Sequence, residues 1–206
     1  MSCIDCRATF ADLDQPDPAG ESRVSRLDRV QPECRCQEHS VSEHSAGRVE
    51  DDEVIARILV APQHMGGKGK PRAAALVDAE RNGLSLFRMD RAKDHEIRTA
   101  AEALVARARA SQGDKPHRAG VFGVLVMRGG TIRRCEREGE GRPCYCLYDT
   151  ALADNRGHAE IFQRVADTDL AVCEDRRRIL FGLVKDTFIP VADFRAGLLL
   201  DLAPQL

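Results

Sequence analysis

One long amphipathic stretch between strand-like runs constrains the fold most. From His95 to Ala110 the apolar positions Ile97, Ala100, Ala101, Leu104, Val105 and Ala108 recur at helical spacing, and Ser111 with Gly113 ends the pattern. Before it, Leu84-Ser85-Leu86-Phe87-Arg88 alternates apolar and polar residues behind Gly83, as a half-buried strand does. After it, Ala119 to Val126 is an apolar, β-type run. Val54 to Val60 is a strand or the end of a short helix running into a strand, and Pro143 to Tyr148 adds a further strand. Asn155 to Val165 and Glu174 to Phe188 are expected to be helical, with Leu180, Leu183 and Val184 as the stripe of the last helix and Pro190 closing it. Gly129-Gly130 suits a hairpin turn before Thr131-Ile132. Strands and helices that do not alternate regularly predict an α+β domain with a small mixed or antiparallel sheet and two or three helices.

Charge divides the chain unevenly. The first 53 of the 206 residues hold six basic and thirteen acidic side chains, a net of −7, against +5 for the remainder. Residues 1–50 are therefore taken as an acidic, Cys-containing, largely irregular tail and residues 51–206 as the α+β domain. Gln15 to Gly20 is a run of turn and breaker residues, and Ser40 to Arg48 has almost nothing to bury. Such a segment cannot offset its chain entropy unless something staples it. Cys3 and Cys6 form a C-x-x-C pair, and Cys34 and Cys36 a C-x-C pair followed by His39 and His44. Four thiolates in a tetrahedron would make a zinc clip, and a zinc-clipped tail would suit a protein partner. Unligated thiols in a floppy tail are the alternative, since C-x-C is the less usual spacing and the loop between the pairs is long. Met1 to Phe10 shows no export signal, and no run of 18 apolar residues exists, so no membrane is involved and a cytoplasmic location is expected. A disulfide framework is not expected there.

Familiar motifs are absent. His64-Met65-Gly66-Gly67-Lys68-Gly69-Lys70 invites a phosphate-loop reading, but the glycine spacing fails and Pro71 stands where Ser or Thr is needed. It reads as a solvated loop, with anion contact through Lys68 and Lys70 as the alternative. Arg133, Arg134, Arg137 and Arg142 alternate with Glu136, Glu138 and Glu140, so their charges cancel locally. Aromatic residues make up only 4% and Trp is absent, which leaves little to stack single-stranded nucleic acid upon.

What remains is a set of polar residues beside apolar runs. Arg57 lies inside Ile55 to Val60, Arg88 ends one strand, and Asp149 ends another. A charge inside an apolar run must be paired or must hold something, because burying it alone costs several kcal/mol. Arg57 is thus an ion-pair partner or an anion holder. His158 can titrate near neutrality and could serve as general base or acid with Asp149 orienting it. Alternatively, Asn155 caps a helix and His158 packs near its first turn. Arg176, Arg177 and Arg178 would add guanidinium groups, which suit phosphate. Cys135, Cys144, Cys146 and Cys173 are expected to be small buried hydrophobes, with Cys144 and Cys146 sharing a strand face. A second metal site on Cys135, Cys144 and Cys146 would lack a fourth ligand.

The strings Asp51-Asp52-Glu53-Val54-Ile55-Ala56-Arg57, His64, Gly83-Leu84-Ser85-Leu86-Phe87-Arg88, Tyr148-Asp149 and Asn155-Arg156-Gly157-His158-Ala159 together resemble a family of small uncharacterised bacterial proteins. The shared pattern runs D-D-E-x-x-A-R, P-x-H, G-x-S-x-x-R, D, N-P-x-H-A and a basic helix. Arg156 stands in the place of the proline. The resemblance spans about Asp51 to Phe188, implies no activity, and implies that Arg57, His64, Ser85, Arg88, Asp149, Asn155 and His158 converge on one face. Two functions are compatible with these residues. One is a non-catalytic accessory or adaptor protein of a bacterial mobile-element or defence locus. The other is a domain binding a nucleotide or nucleic-acid phosphate through Arg57, Arg88 and Arg177, with the acidic tail occupying the basic body when no ligand is present. It becomes a hydrolase or transferase if His158 and Asp149 move protons.

Overall fold

The computed structural model describes residues 4–13, 15, 17, 19–30, 36–44, 47–113, 116–164, 166 and 169–204, with the backbone alone at residues 4–6, 30 and 36. Strands β1 (Val54–Ala61), β2 (Leu84–Arg88), β3 (Gly120–Arg128), β4 (Tyr145–Asp149), β5 (His158–Gln163) and β6 (Phe188–Pro190) form one antiparallel sheet in the order β4-β5-β2-β1-β3-β6. The helices are α1 (Ile4–Leu13), α2 (Arg23–Val30), α3 (Asp94–Ser111), α4 (Gly129–Arg133) and α5 (Leu170–Val184). The fold is α+β, as the non-alternating order of elements requires.

Both faces of the sheet are covered, which is why its central strands are apolar on both sides. Over one face lie α5, α4 and the 3₁₀ segment Ala73–Glu80, whose Leu180, Ile132 and Leu76 pack with Ile55, Leu59, Leu125 and Ile161. Over the other face, Ile97, Ala101 and Val105 of α3 pack with Ile58, Val60 and Val124, and Phe194 and Leu199 complete that layer. Ile97 and Ala101 are four residues apart, as are Ala101 and Val105, so one stripe of α3 meets the sheet.

Three expectations for the body change. Asn155 to Val165 is not a helix, because β5 is paired on both edges, Leu84↔Ile161 on one side and Leu147↔Ile161 on the other. Ladder bonding to two neighbours outweighs a weak local preference, and the alternation of Ala159 and Ile161 with His158, Glu160 and Phe162 serves two buried faces. Gly129-Gly130 opens α4 rather than turning a hairpin. The Gly129 and Gly130 N–H groups donate to Glu53 and Asp51, and a Cβ on Gly129 would stand 2.3 Å from the Glu50 carbonyl oxygen, so close chain approach is what needs glycine there. The last helix starts earlier and ends earlier than its apolar stripe suggests. Asp169 caps α5 by accepting from the Ala171 N–H at 2.8 Å, and Phe188–Pro190 instead pairs with β3 as an edge strand, where proline is tolerated.

The amino-terminal segment also departs from expectation. Phe10, Leu13, Val24, Leu27 and Val41 are buried together with Cys146, Tyr148 and Phe162 on the outer part of the sheet. These apolar residues are too sparse in sequence to mark a period, yet β4 and β5 present an apolar face that they cover. Phe10 stacks at 4.8 Å from Tyr148 and 5.8 Å from Phe162. Cys3 and Cys34 lie outside the described residues, as do the side chains of Cys6 and Cys36. Cys144 does not share a face with Cys146. It precedes β4 and packs with Cys135 under α5, whereas Cys146 faces Phe10.

Candidate functional site

The candidate site grows out of a fault in the sheet. β1 pairs with β3 along Val54–Ala61, but with β2 only at Ile55↔Arg88 and Ala56↔Phe87. Beyond those pairs the two strands part, and the Arg57 guanidinium spans the gap. Its Nη1 donates to the Ser85 carbonyl at 3.2 Å and its Nη2 to Asp78 Oδ2 at 2.9 Å. Arg57 is 3% exposed, and its Nε is buried without a hydrogen-bond partner. Burial pulls this guanidinium below its ordinary pKa, Asp78 opposes the shift, and Arg107 adds to it.

A cleft of about 550 Å³ opens here, lined by Arg57, His64, Asp78, Ser85 and, from α3, Leu104, Arg107 and Ser111. His64 Nδ1 accepts the Val60 N–H at 3.0 Å, which leaves the proton of the neutral ring on Nε2. Burial first, then Arg57 and Arg72, push its pKa down to about 3, so the ring is neutral near pH 7. Arg107 is exposed and makes no ion pair among the described residues, whereas Asp78 already serves Arg57. The cleft therefore presents a buried guanidinium, an uncompensated one and a neutral N–H donor to whatever enters, which is the donor set of an anion site.

A second hollow of about 520 Å³ lies across the Arg23–Glu160 pair, which borders both. Its walls include Phe10, Val41, Thr150, Leu152 and His158. His158 Nδ1 stands 2.9 Å from Thr150 Oγ1 and 3.1 Å from the Thr150 carbonyl. A carbonyl only accepts, so Nδ1 is the donor toward Thr150.

The expected convergence is thus partial. Arg57, His64 and Ser85 line one cleft and His158 lines the other hollow. Asp149 does not orient His158. The register pairs Asp149 with Ala159, which puts His158 opposite Thr150 and sends the Asp149 side chain to the other face of the sheet. There it meets Arg88 at 3.3 Å. Arg88 is 2% exposed and held by Glu53 at 2.6 and 2.9 Å and by the Gly47 and Arg48 carbonyls, so it is sealed in the scaffold rather than offered to a ligand. Asn155 caps no helix. It bridges Leu152 in a tight turn, and its Oδ1 is buried without a partner. The basic run of α5 is neutralised in place. Arg176 binds Glu140, Arg177 Nη1 meets Glu80 Oε1 at 2.8 Å, and Arg178 pairs with Glu174. The arginines at the end of α4 and just after it are paired likewise, Arg133 and Arg134 with Asp51 and Arg137 with Asp175.

Arg23, Asp78, Arg107 and Glu160 belong to these walls and do not stand out in the sequence. Arg107 had a readable mark, since it flanks the apolar stripe of α3 between Leu104 and Ala108. Asp78 and Glu160 had none, because only chain packing sets them beside arginines. Among the described residues no three His, Cys, Asp or Glu side chains are grouped to hold a metal ion, and no helix is long and apolar enough to cross a membrane. The chain matches no protein-family model, no curated protein and no solved structure.

Proposed function

We propose that the protein is a binding domain that captures a small anion-bearing ligand, a nucleotide or other phosphate ester, in the cleft between β1 and β2. The observation that carries this is Arg57, buried where the strands part, with its Nε unpartnered and with Arg107 uncompensated beside it. An isolated ion pair would close such a gap with matched charge. This one leaves an excess of positive charge facing an open hollow. The sealed Arg88–Asp149–Glu53 network supports the accessory reading, in which binding rather than turnover is the task, as in a cytoplasmic adaptor of a mobile-element or defence locus. Zinc on Cys3, Cys6, Cys34 and Cys36 is part of the same proposal, and metal analysis of the purified protein measures it.

The test is calorimetric titration of inorganic phosphate and AMP at low salt into the wild type and Arg107→Ala. Arg107 is exposed, so its removal spares the fold. The expected result is saturable binding of at least one probe, weakened about tenfold in the variant and weakened again by added salt. No binding of either probe at millimolar concentration, or equal binding by both proteins, overturns the proposal.

A further inference from the structure

Outside both hollows, the molecule carries a pair of thiols set against each other. Glu136 and Pro143 form an antiparallel bridge, so Cys135 and Cys144 are the next pair in register, and the Cys144 N–H donates to the Cys135 carbonyl at 2.7 Å. Opposed residues at such a position have Cα atoms about 5.5 Å apart. Disulfides bridge roughly 4.4–6.8 Å. Both side chains lie in the same buried cluster of the core, where the register sets them side by side. Cys146 and Cys173 lie elsewhere, one under Phe10 and the other against Gln163.

We infer that Cys135 and Cys144 are a reversible modification site that closes to a disulfide when the protein meets a peroxide. The surroundings assign the roles. The Cys135 S–H donates to the Cys144 sulfur and lowers its pKa, Arg176 and the Arg137 N–H act in the same direction, and burial and Glu140 oppose them. Cys144 is therefore the attacking sulfur. Its thiolate takes one oxygen of hydrogen peroxide, the O–O bond breaks, and hydroxide leaves as water with the proton that Cys144 had lost. The sulfur of Cys135 then attacks the Cys144 sulfenic acid, the S–S bond forms, and the second hydroxyl departs as water with the Cys135 proton. Two thiols are oxidised and one peroxide is reduced to two waters. Both cysteines are buried, at 0% and 2% exposure, beside the loop that joins them, where Glu136, Glu138, Gly139, Gly141 and Arg142 are exposed, and peroxide would have to enter from that side. The bond would clamp the base of that loop, whose Glu140 holds Arg137 and Arg176.

The experiment exposes the full chain to hydrogen peroxide under native conditions, alkylates free thiols, and maps tryptic peptides without reduction. The expected product is a linkage between Cys135 and Cys144 as the main intramolecular crosslink, short of two hydrogens, reversed by dithiothreitol and kept in Cys146→Ser. The wild-type map decides the matter even if Cys144→Ser fails to fold. Alkylation of both cysteines after exhaustive peroxide treatment of folded protein, or pairing no more frequent than with Cys146 or Cys173, overturns the inference.

Discussion

Arg23 and Glu160 tie the amino-terminal segment to the sheet, with Arg23 Nη1 at 2.7 Å and Nη2 at 3.1 Å from the two oxygens of a nearly buried carboxylate. Arg23 also donates to the Asn82 carbonyl at 2.7 Å and lies 5.1 Å from the Phe162 ring centre. The acidic segment thus docks through a basic residue, and the pair forms the wall shared by the two hollows. Among the described residues, no carboxylate of this segment lines the cleft of Arg57 and Arg107.

Arg23→Ala leaves Glu160 buried without this partner, and loss of one member of a buried pair costs about 3 kcal/mol. Urea unfolding should show a fall of that order. An unchanged midpoint and slope would mean that the wall is not held by this contact.

Phe10→Ala tests whether the amino-terminal helices are part of the folded unit. Phe10 packs on Tyr148 and Phe162, and such truncations cost about 3 kcal/mol. The unfolding transitions followed by tyrosine fluorescence (Tyr145 and Tyr148) and by far-ultraviolet dichroism should shift together. A segment that melts separately, leaving the main transition in place, contradicts the packing described above.

Arg88→Met separates scaffold from site. It strands Glu53 and Asp149 in the interior, at a cost of about 3–5 kcal/mol, and should strongly lower stability. A variant as stable as the wild type but unable to bind phosphate would return Arg88 to the ligand.

His64 makes stability depend on pH in a defined direction. Its folded pKa of about 3 lies below the unfolded value near 6.5, so between those values the unfolded chain binds more protons. The contribution is complete above pH 6.5 and is lost as pH falls toward 3, by at most about 1.4 kcal/mol per pH unit. Denaturant titrations at pH 7.0 and 5.5, where ordinary carboxylates are still ionised, should show this loss in the wild type and a flatter profile in His64→Gln. Parallel profiles in the two proteins would count against a buried neutral imidazole.

Much of the architecture follows from local pattern. The stripe Ile97, Ala101, Val105, Ala108 makes α3 amphipathic wherever it is placed, and the apolar runs of β1, β2 and β3 have no stable place except a covered sheet. Arg57 was conspicuous in the same way, because a guanidinium inside an apolar run needs a partner or a ligand. Lys68 and Lys70 are exposed, and of the arginines expected to cancel against Glu136 to Glu140 only Arg137 pairs locally, with Glu140, whereas Arg133 and Arg134 reach Asp51.

Long-range pairing decided the rest. Helix or strand at Ala159 to Phe162 was settled by pairing with the neighbouring β4 and with β2, which lies far along the chain, and one register of β5 put His158 and Asp149 on opposite faces. The parting of β1 from β2, which makes the cleft, depends on how far two strands stay in register and leaves no trace in either strand's composition. Local sequence sets which residues must be buried and at what period. Only the closed chain sets which buried charges find partners, and the anion site proposed above rests on the arginines that remain incompletely matched.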